Sequence, residues 1–219
     1  MARDAATVIQ TDDLINAYRL GYFPMARRRD DPDVVWILPD ERGALPLDYA
    51  RAPRKLKRFI AKEPFKVEFN KNFSAVMVAC AEETPDRDDT WINDAIIEAY
   101  TELFHLGRAH SVECYDGDSL VGGLYGVSLG GIFCGESLFS RATNASKVAM
   151  AYLIAALKRD GFQVLDTQFF TEHLAQFGVS AMPDAAYQKL LHAYSNADVS
   201  FSATPPSVDV VLQSITQTS

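Results

Sequence analysis

Residues 120–141 of the chain read LVGGLYGVSLGGIFCGESLFSR. Two short apolar segments in this stretch flank a Ser-Leu-Gly-Gly break at 128–131. Because glycine readily adopts the positive φ that a tight turn requires, the pattern predicts a β-hairpin. The second predicted strand carries Glu136 among apolar neighbours, where a carboxylate is costly unless it has a partner or a function. Glu136 is therefore the first candidate functional residue.

A helix and a further strand are predicted after this hairpin. The helix spans 147–159, and the strand at 162–170 carries Asp166 and Gln168 two positions apart, on one face. A helical crossover between two strands predicts that they are parallel and close together, so these two residues can converge with Glu136. Two carboxylates and an amide suit the binding of a cationic amine and the movement of a proton from it. The alternative is a buried polar cluster with a purely structural role.

Composition indicates a globular protein with an acidic net charge. The chain has 219 residues, is 48% hydrophobic and has a formal net charge of −8, which suits one large domain with a small appendage. No apolar run reaches the roughly 18 residues of a membrane helix, and the N-terminus lacks the pattern of a signal peptide. Three scattered cysteines argue against a disulfide framework and for a reducing compartment. These features predict a cytoplasmic protein without a membrane partner.

Positive charge is concentrated in one short region. Residues 51–71 contain eight Lys or Arg against two Glu, a local charge of +6. A helix predicted at 53–62 aligns Arg54, Arg58 and Lys62 in one row. Like charges in a row destabilise a helix slightly, so the row suggests a ligand that carries several negative charges. The alternative is a solvated helix face without a ligand.

Other site chemistries receive no support from the sequence. His105 and His110 lie on different predicted elements, and no cysteine has the spacing of a metal ligand. No Gly-rich phosphate loop of the Walker or dinucleotide type is present. From Asn196 onward the sequence is rich in Ser, Thr and Pro and has no periodicity, which predicts a loosely held tail.

The motifs described so far resemble those of the leucyl/phenylalanyl-tRNA–protein transferase family, over nearly the whole length from about Asp13 to Tyr194. The most specific matches are the block at 120–141 and the NASK sequence that follows it at 144–147. The other matching stretches are AYRLGYFP at 17–24, TWI at 90–92, GRAHSVE at 107–113 and LDTQ at 165–168.

The resemblance implies a fold and an activity. The fold would be α+β, with a small N-terminal domain at 1–38, a mixed sheet with flanking helices related to the GCN5-type acetyltransferases at 39–198, and the tail at 199–219. The activity would be the transfer of Leu or Phe, and less readily Met, from aminoacyl-tRNA to proteins with N-terminal Arg or Lys. Such proteins are then degraded by the N-degron pathway. The resemblance implies no metal or other cofactor, and we expect a monomer.

The resemblance also implies roles for particular residues. Asp166 and Gln168 match the family's catalytic proton relay, with Gln168 contacting the amine of the acceptor protein and Asp166 behind it. Glu136 matches an acid that helps to hold the acceptor N-terminus. Three residues match the basic cluster that contacts the tRNA backbone: Arg54, Arg58 and Lys62. Seven residues match the pocket for the aminoacyl side chain and the terminal adenosine: Tyr18, Met25, Trp91, Tyr100, Leu124, Phe133 and Leu138.

Three of these positions depart from the residues found most often in the family. Met25 stands where other members have a Trp that stacks on adenine, and a Met stacks less well. Leu124 and Leu138 stand where Met is common. Because Leu is less deformable than Met, we expect this pocket to rank Leu, Phe and Met differently from those members.

Strict alternation along a strand conflicts with two of the implied roles. Phe133 and Glu136 lie three positions apart and would point to opposite faces of the sheet, yet the resemblance assigns both to the site. We therefore predict a β-bulge near Gly135, which would redirect one of the two side chains.

Three alternative functions would require other features of the sequence. A GCN5-type N-acetyltransferase would cradle the pyrophosphate of CoA on a Gly-rich loop at a helix N-terminus, but the loop at 140–146 contains no Gly. A transferase that adds amino acids to cell-wall peptides would have a similar fold in a longer chain. A non-enzymatic tRNA-binding module would tolerate the loss of Asp166 and Gln168.

Overall fold

A computed structural model of the chain describes residues 8–83 and 89–216. The predicted N-terminal domain and tail therefore extend at 1–7 and 217–219 beyond the described residues. The strands are β1 (Phe23–Met25), β2 (Val35–Ile37), β3 (Glu41–Pro46), β4 (Lys66–Phe69), β5 (Ala109–Asp116), β6 (Ser119–Leu129), β7 (Ile132–Ser140), β8 (Val164–Gln168) and β9 (Ser180–Pro183). The helices are α1 (Thr11–Arg19), α2 (Arg54–Ile60), α3 (Phe73–Ala81), α4 (Asp94–His105), α5 (Ala145–Asp160), α6 (Glu172–Ala175), α7 (Asp184–Tyr194) and α8 (Val208–Ser214), with a 3₁₀ turn at Leu47–Tyr49.

One seven-stranded sheet organises the larger part of the chain, with the strand order β4-β5-β6-β7-β8-β3-β9. The predicted hairpin forms its centre as β6 and β7, and it turns at Gly130, whose φ is +56°. Strands β7 and β8 are parallel, and the other neighbouring pairs are antiparallel. Helix α5 makes the crossover from β7 to β8 that the sequence predicts. The predicted α+β class, with a mixed sheet and flanking helices, is confirmed.

Helices cover both faces of this sheet and bury two hydrophobic cores. One face packs against α1, α3 and α4, which contribute the fully buried Leu14, Val76 and Ile96. The other face packs against α5, where every residue from 148 to 157 is buried. A helix that is apolar all round must be enclosed on all sides, and α5 lies between the sheet and α8. Helix α5 is therefore a fixed support for the side chains that project from β6, β7 and β8.

Two strands at one end of the sheet, β3 and β9, differ from the sequence prediction. The Pro, Asp and Gly at 39–43 predict a turn, but Glu41–Gly43 belong to β3, and β9 has no counterpart in the prediction. Strand β3 pairs with both β8 and β9, which are more than 100 residues away along the chain. Long-range pairing of this kind overrides local propensity and leaves no local signal.

The prediction of a loosely held tail is wrong for the described residues 199–216. Helix α8 packs against α5 and buries Val211 and Ile215 completely. The Arg159 guanidinium donates a 2.7 Å hydrogen bond to the carbonyl of Thr204 and so fastens the segment before α8. The Ser, Thr and Pro composition hid the two apolar residues, which lie four positions apart on one helix face.

The N-terminal part of the chain has a small sheet of its own. Strands β1 and β2 pair as an antiparallel two-stranded sheet, and α1 packs against β1. Strand β2 ends at Ile37, and β3, which belongs to the larger sheet, begins at Glu41. The limits of 1–38 and 39–198 for the two domains stay a prediction.

Candidate functional site

The parallel strands β7 and β8 separate near the centre of the sheet. They are paired only from Ile132–Val164 to Cys134–Asp166. Two residues after the last pair, Gln168 has a φ of +54°, a left-handed conformation that is uncommon for residues other than Gly. This conformation ends β8 and turns the chain away from β7. A cleft therefore opens between the two strands.

A β-bulge in β7 widens the same cleft. Tyr125 of β6 lies opposite Ser137, but the next residue, Gly126, lies opposite Gly135. Glu136 is therefore the extra residue of a bulge, without a partner across the ladder. The bulge predicted near Gly135 is confirmed.

Glu136 is surrounded by hydroxyl and amide donors. The Tyr100 hydroxyl donates to Oε2 and the Gln168 Nε2 group to Oε1, both at 3.1 Å. The Tyr18 hydroxyl is bonded to that of Tyr100. Although part of Glu136 is exposed in the cleft, loss of hydration raises the pKa of its carboxyl to about 8, opposed by the bonds from the two tyrosines and assisted by the charge of Asp166. Near neutral pH both protonation states of Glu136 are therefore accessible.

Asp166 forms a fully buried ion pair with Arg42. Arg42 Nε donates to Oδ1 at 2.9 Å, and Nη2 donates to Oδ2 at 2.7 Å. The Tyr187 hydroxyl donates to Oδ2 at 2.6 Å, and the backbone N–H of Gln168 donates to Oδ1 at 2.8 Å. Each carboxylate oxygen thus accepts two hydrogen bonds. In this geometry Asp166 fixes the backbone of Gln168, whose side chain reaches Glu136.

Arg42 is a site residue that the sequence analysis missed. Its third contact, from Nη1 to the carbonyl of Gly21 at 2.8 Å, links the N-terminal part to the cleft. Its guanidinium also lies over the rings of Phe23 and Tyr187, at 5.0 and 4.6 Å from the ring centroids. The signal in the sequence was an Arg directly before the apolar run at 43–45, because a cation in a buried strand requires a partner. The partner is 124 residues away, and no local pattern identifies it.

An apolar cavity of about 400 Å³ adjoins Glu136 and Gln168. Leu124 and Leu138, two of the residues expected around the aminoacyl group, line this cavity. Sequence analysis missed the lining from α5 and from the segment that follows β8. These further residues are Met150, Leu153, Phe169, His173 and Leu174.

The other five residues expected in the pocket do not line this cavity. They are Tyr18, Met25, Trp91, Tyr100 and Phe133. Phe133 is fully buried among three other aromatic rings on the α5 face of the sheet. Met25 and Trp91 are partly buried against the core that covers the opposite face. Tyr18 and Tyr100 reach the site through their hydroxyl groups alone.

A second cavity, of about 600 Å³, lies between α2 and the start of α5. Arg58 and Lys62 line it together with Lys147, whereas Arg54 lies on α2 outside the lining. Helix α2 ends at Ile60, so Lys62 belongs to the turn after it rather than to the predicted helix. Lys55 also lines the cavity, and within the described part of the chain none of the four lining cations makes an ion pair. We call this cavity the basic cavity.

Metal and hydrolase chemistry find no support in the described residues. They contain no group of three or more His, Cys, Asp or Glu placed to hold a metal ion. A separate finding is that none of the helices among the described residues has the length and apolar character to cross a membrane. Residues 126–130 read GVSLG, but Ser128 lies within β6 rather than at the strand-to-helix turn of a hydrolase nucleophile. The cysteines at 80, 114 and 134 are buried, and none of the three forms a disulfide.

The fold and the cleft define an α+β protein that can enclose a small apolar group beside a polar pair. Comparisons with known proteins identify the family. The family model described as "Leucyl/phenylalanyl-tRNA protein transferase" matches residues 44–192, and the model of that family's N-terminal domain matches residues 8–40. The chain belongs to the leucyl/phenylalanyl-tRNA–protein transferase family, which is a family of aminoacyltransferases, and the resemblance drawn from the sequence is confirmed.

Individual relatives carry the same family name. The leucyl/phenylalanyl-tRNA–protein transferase of Maricaulis maris is 48% identical over 210 residues, which cover 95% of this chain and 97% of that protein. The proteins of that name from Paramagnetospirillum magneticum and Rhodospirillum rubrum are each 51% identical over 183 residues, covering 84% of this chain and 88% and 86% of theirs. The solved structure of L-PGS from Bacillus licheniformis aligns at 12% identity and a TM-score of 0.38, over 85% of this chain and 59% of that one, which is too low a likeness to support an argument.

Proposed function

We propose that this protein transfers Leu or Phe, and less readily Met, from aminoacyl-tRNA to the α-amino group of proteins that begin with Arg or Lys, which are then degraded by the N-degron pathway. Family membership supports the reaction. The observation that carries the assignment of the site is the pair Glu136–Gln168, held at 3.1 Å beside an apolar cavity. The cavity accepts the aminoacyl side chain, and the pair receives the amine. A cytoplasmic location and a monomeric state belong to the same proposal.

The proposed reaction forms one bond and breaks one bond. The neutral α-amino nitrogen attacks the ester carbonyl carbon, the new C–N bond forms, and the bond from that carbon to the ribose oxygen breaks. A proton must leave the nitrogen, and the ribose oxygen must gain one. An α-ammonium group has a pKa of about 7.7–8.0, close to the value of about 8 for Glu136, so the proton can pass between them with little cost.

The supporting residues position the two reactants in this proposal. Gln168 donates through Nε2 to Glu136, which leaves its side-chain carbonyl free to accept a hydrogen bond from the amine. Asp166 positions Gln168, because its Oδ1 accepts a hydrogen bond of 2.8 Å from the backbone N–H of Gln168. The basic cluster of Arg54, Arg58 and Lys62 binds the tRNA backbone. Contacts to phosphates carry no sequence information, so one enzyme can use tRNAs of different sequence.

A transfer assay with leucyl-tRNA tests the proposed function. Incubation with a peptide that begins with Arg should yield the same peptide extended by one leucine, detected by its mass. The matched control is the peptide with an acetylated N-terminus, which offers no free amine and should remain unchanged. If intact leucyl-tRNA yields no extended peptide with purified protein, the proposed function is wrong.

A further inference from the structure

The apolar cavity and the basic cavity adjoin each other across α5 and α6. On α5, Lys147 lines the basic cavity, and Met150, three residues later, lines the apolar cavity. On the other side, His173 of α6 lines the apolar cavity, and Gln176 lines the basic cavity. Residues three apart on a helix are neighbours within one turn of about 5.4 Å. The two cavities are therefore separated by a boundary about one helical turn wide.

Lys147 and His173 lie on the two sides of this boundary, Lys147 in the lining of the basic cavity and His173 in that of the apolar cavity. Burial, and second to it the charge of Lys147, lowers the pKa of the His173 ring. At neutral pH the His173 ring is therefore uncharged and offers one N–H donor, while Lys147 offers a positive charge and three donors. Within residues 8–83 and 89–216, Lys147 makes no ion pair with a carboxylate. Lys147 as a cation and His173 as a neutral donor, both without an acidic partner among the described residues, can therefore form a binding site for one phosphate group.

We infer that Lys147 and His173 bind the phosphate on the 5′ side of the terminal nucleotide of the donor tRNA. The inference rests on the proposed function, which places the aminoacyl ester beside Glu136. The terminal nucleotide then spans the boundary, with its ester in the apolar cavity and its phosphate at the edge of the basic cavity. The preceding nucleotides continue along the basic cavity. Lys147 thereby becomes a positioning residue that sets how far the ester enters the cleft.

Three donors that differ only in their phosphates test this inference. They are leucyl-tRNA, the leucyl ester of adenosine 5′-monophosphate, and the leucyl ester of adenosine, which has no phosphate. Lys147→Ala should lower kcat/KM about tenfold with both donors that carry the phosphate, because a hydrogen bond to a charged group is lost. With leucyl-adenosine the change should stay within about twofold. His173→Gln should retain part of the activity, since its amide can also donate.

The matched control is Lys189→Ala, which removes an exposed lysine of α7 that lines neither cavity; it should leave kcat/KM unchanged with all three donors. If the Lys147→Ala variant uses leucyl-adenosine at the same rate as the wild-type protein, the variant is folded. Equal losses with all three donors would overturn the inference and leave the proposed function intact. A loss with leucyl-tRNA alone would also overturn it, because Lys147 would then contact a different phosphate. Failure of the wild-type protein with every donor would instead overturn the proposed function and, with it, this inference.

Discussion

At the scale of single residues, Asp166 and Glu136 show how surroundings separate two carboxylates. Asp166 accepts two hydrogen bonds from Arg42 and two further ones, from the Tyr187 hydroxyl and the backbone N–H of Gln168, so both of its oxygens are fully occupied within the protein. Among residues 8–83 and 89–216, no cation forms an ion pair with Glu136, and desolvation raises the pKa of its carboxyl to about 8. In the proposed function, Glu136 is the residue that exchanges a proton with the substrate. Sequence patterns marked both acids as candidates but could not rank them, because burial and partners decide the ranking.

The Arg42–Asp166 pair yields a prediction about stability. Arg42→Met should lower the free energy of unfolding by about 3–5 kcal/mol, because it leaves the Asp166 carboxylate buried without its cation. Urea unfolding of the variant and the wild-type protein measures the difference. The double variant with Asp166→Leu removes the stranded charge and should recover part of the loss. A loss below about 1 kcal/mol for Arg42→Met alone would contradict the prediction.

The raised pKa of Glu136 predicts a pH dependence of stability. Between its ordinary value of 4.5 and the folded value of about 8, the unfolded chain has released a proton that the folded protein retains. Unfolding then releases a proton, so the contribution of Glu136 to stability falls as pH rises through this range and levels off above about 8.

Glu136→Gln should therefore lessen the fall in stability between about pH 5.5 and about pH 8.5, measured by urea unfolding at each pH. The exposed Glu41 provides the control, because Glu41→Gln should keep the pH dependence of the wild-type protein. If Glu136→Gln has the same pH dependence as the wild-type protein, Glu136 ionises freely in the folded state.

At the scale of secondary-structure elements, those set by local sequence patterns were predicted, whereas those that depend on long-range strand pairing were missed. The hairpin, the crossover helix and the parallel pair followed from glycine placement and apolar spacing, which act over a few residues. The first half of β3, Glu41–Gly43, and all of β9 were not predicted as strands, because their pairing joins distant segments of the chain. The same limit applied to the site: Asp166 and Gln168 lie two residues apart and were found, whereas Arg42, far along the chain, was not.

Helix α8 yields a prediction with an internal control. Val211 is fully buried, while its neighbour Val210 is 37% exposed. Val211→Ala should lower the free energy of unfolding by about 1–3 kcal/mol through lost burial and the cavity left behind. Val210→Ala makes the same chemical change and should cost less than about 0.5 kcal/mol. Equal costs for the two variants would show that α8 does not pack stably on α5.

At the scale of the whole molecule, the distribution of charge matters more than its sum. A chain of net charge −8 repels a polyanion over most of its surface. Four of the eight lysines and arginines of residues 51–71 lie on α2, and the basic cavity beside this helix adjoins the apolar cavity. Such segregation guides a charged ligand to one face and keeps it away from the others.

Salt dependence tests this arrangement. Replacing Arg54, Arg58 and Lys62 by Ala should weaken the binding of leucyl- and phenylalanyl-tRNA alike. It should also reduce the slope of log Kobs against log salt concentration by about 2, at roughly 0.7–0.9 per phosphate contact. Binding titrations over a range of salt concentrations supply the slope, and Lys189→Ala is the control for a single charge elsewhere. Unequal effects on the two tRNAs would indicate that bases are read.

The place of β3 in the sheet has a consequence for how the protein is made. Arg42 emerges from the ribosome 124 residues before Asp166, which corresponds to roughly 6–25 s of synthesis at about 5–20 residues per second. During that interval β3 has neither of its neighbouring strands, β8 and β9, and Arg42 lacks its counter-ion Asp166. The central hairpin can form earlier, because its strands are adjacent in sequence. The cleft therefore cannot be complete before Asp166 and Tyr187 have been synthesised, so nascent chains that end before these residues lack a finished site.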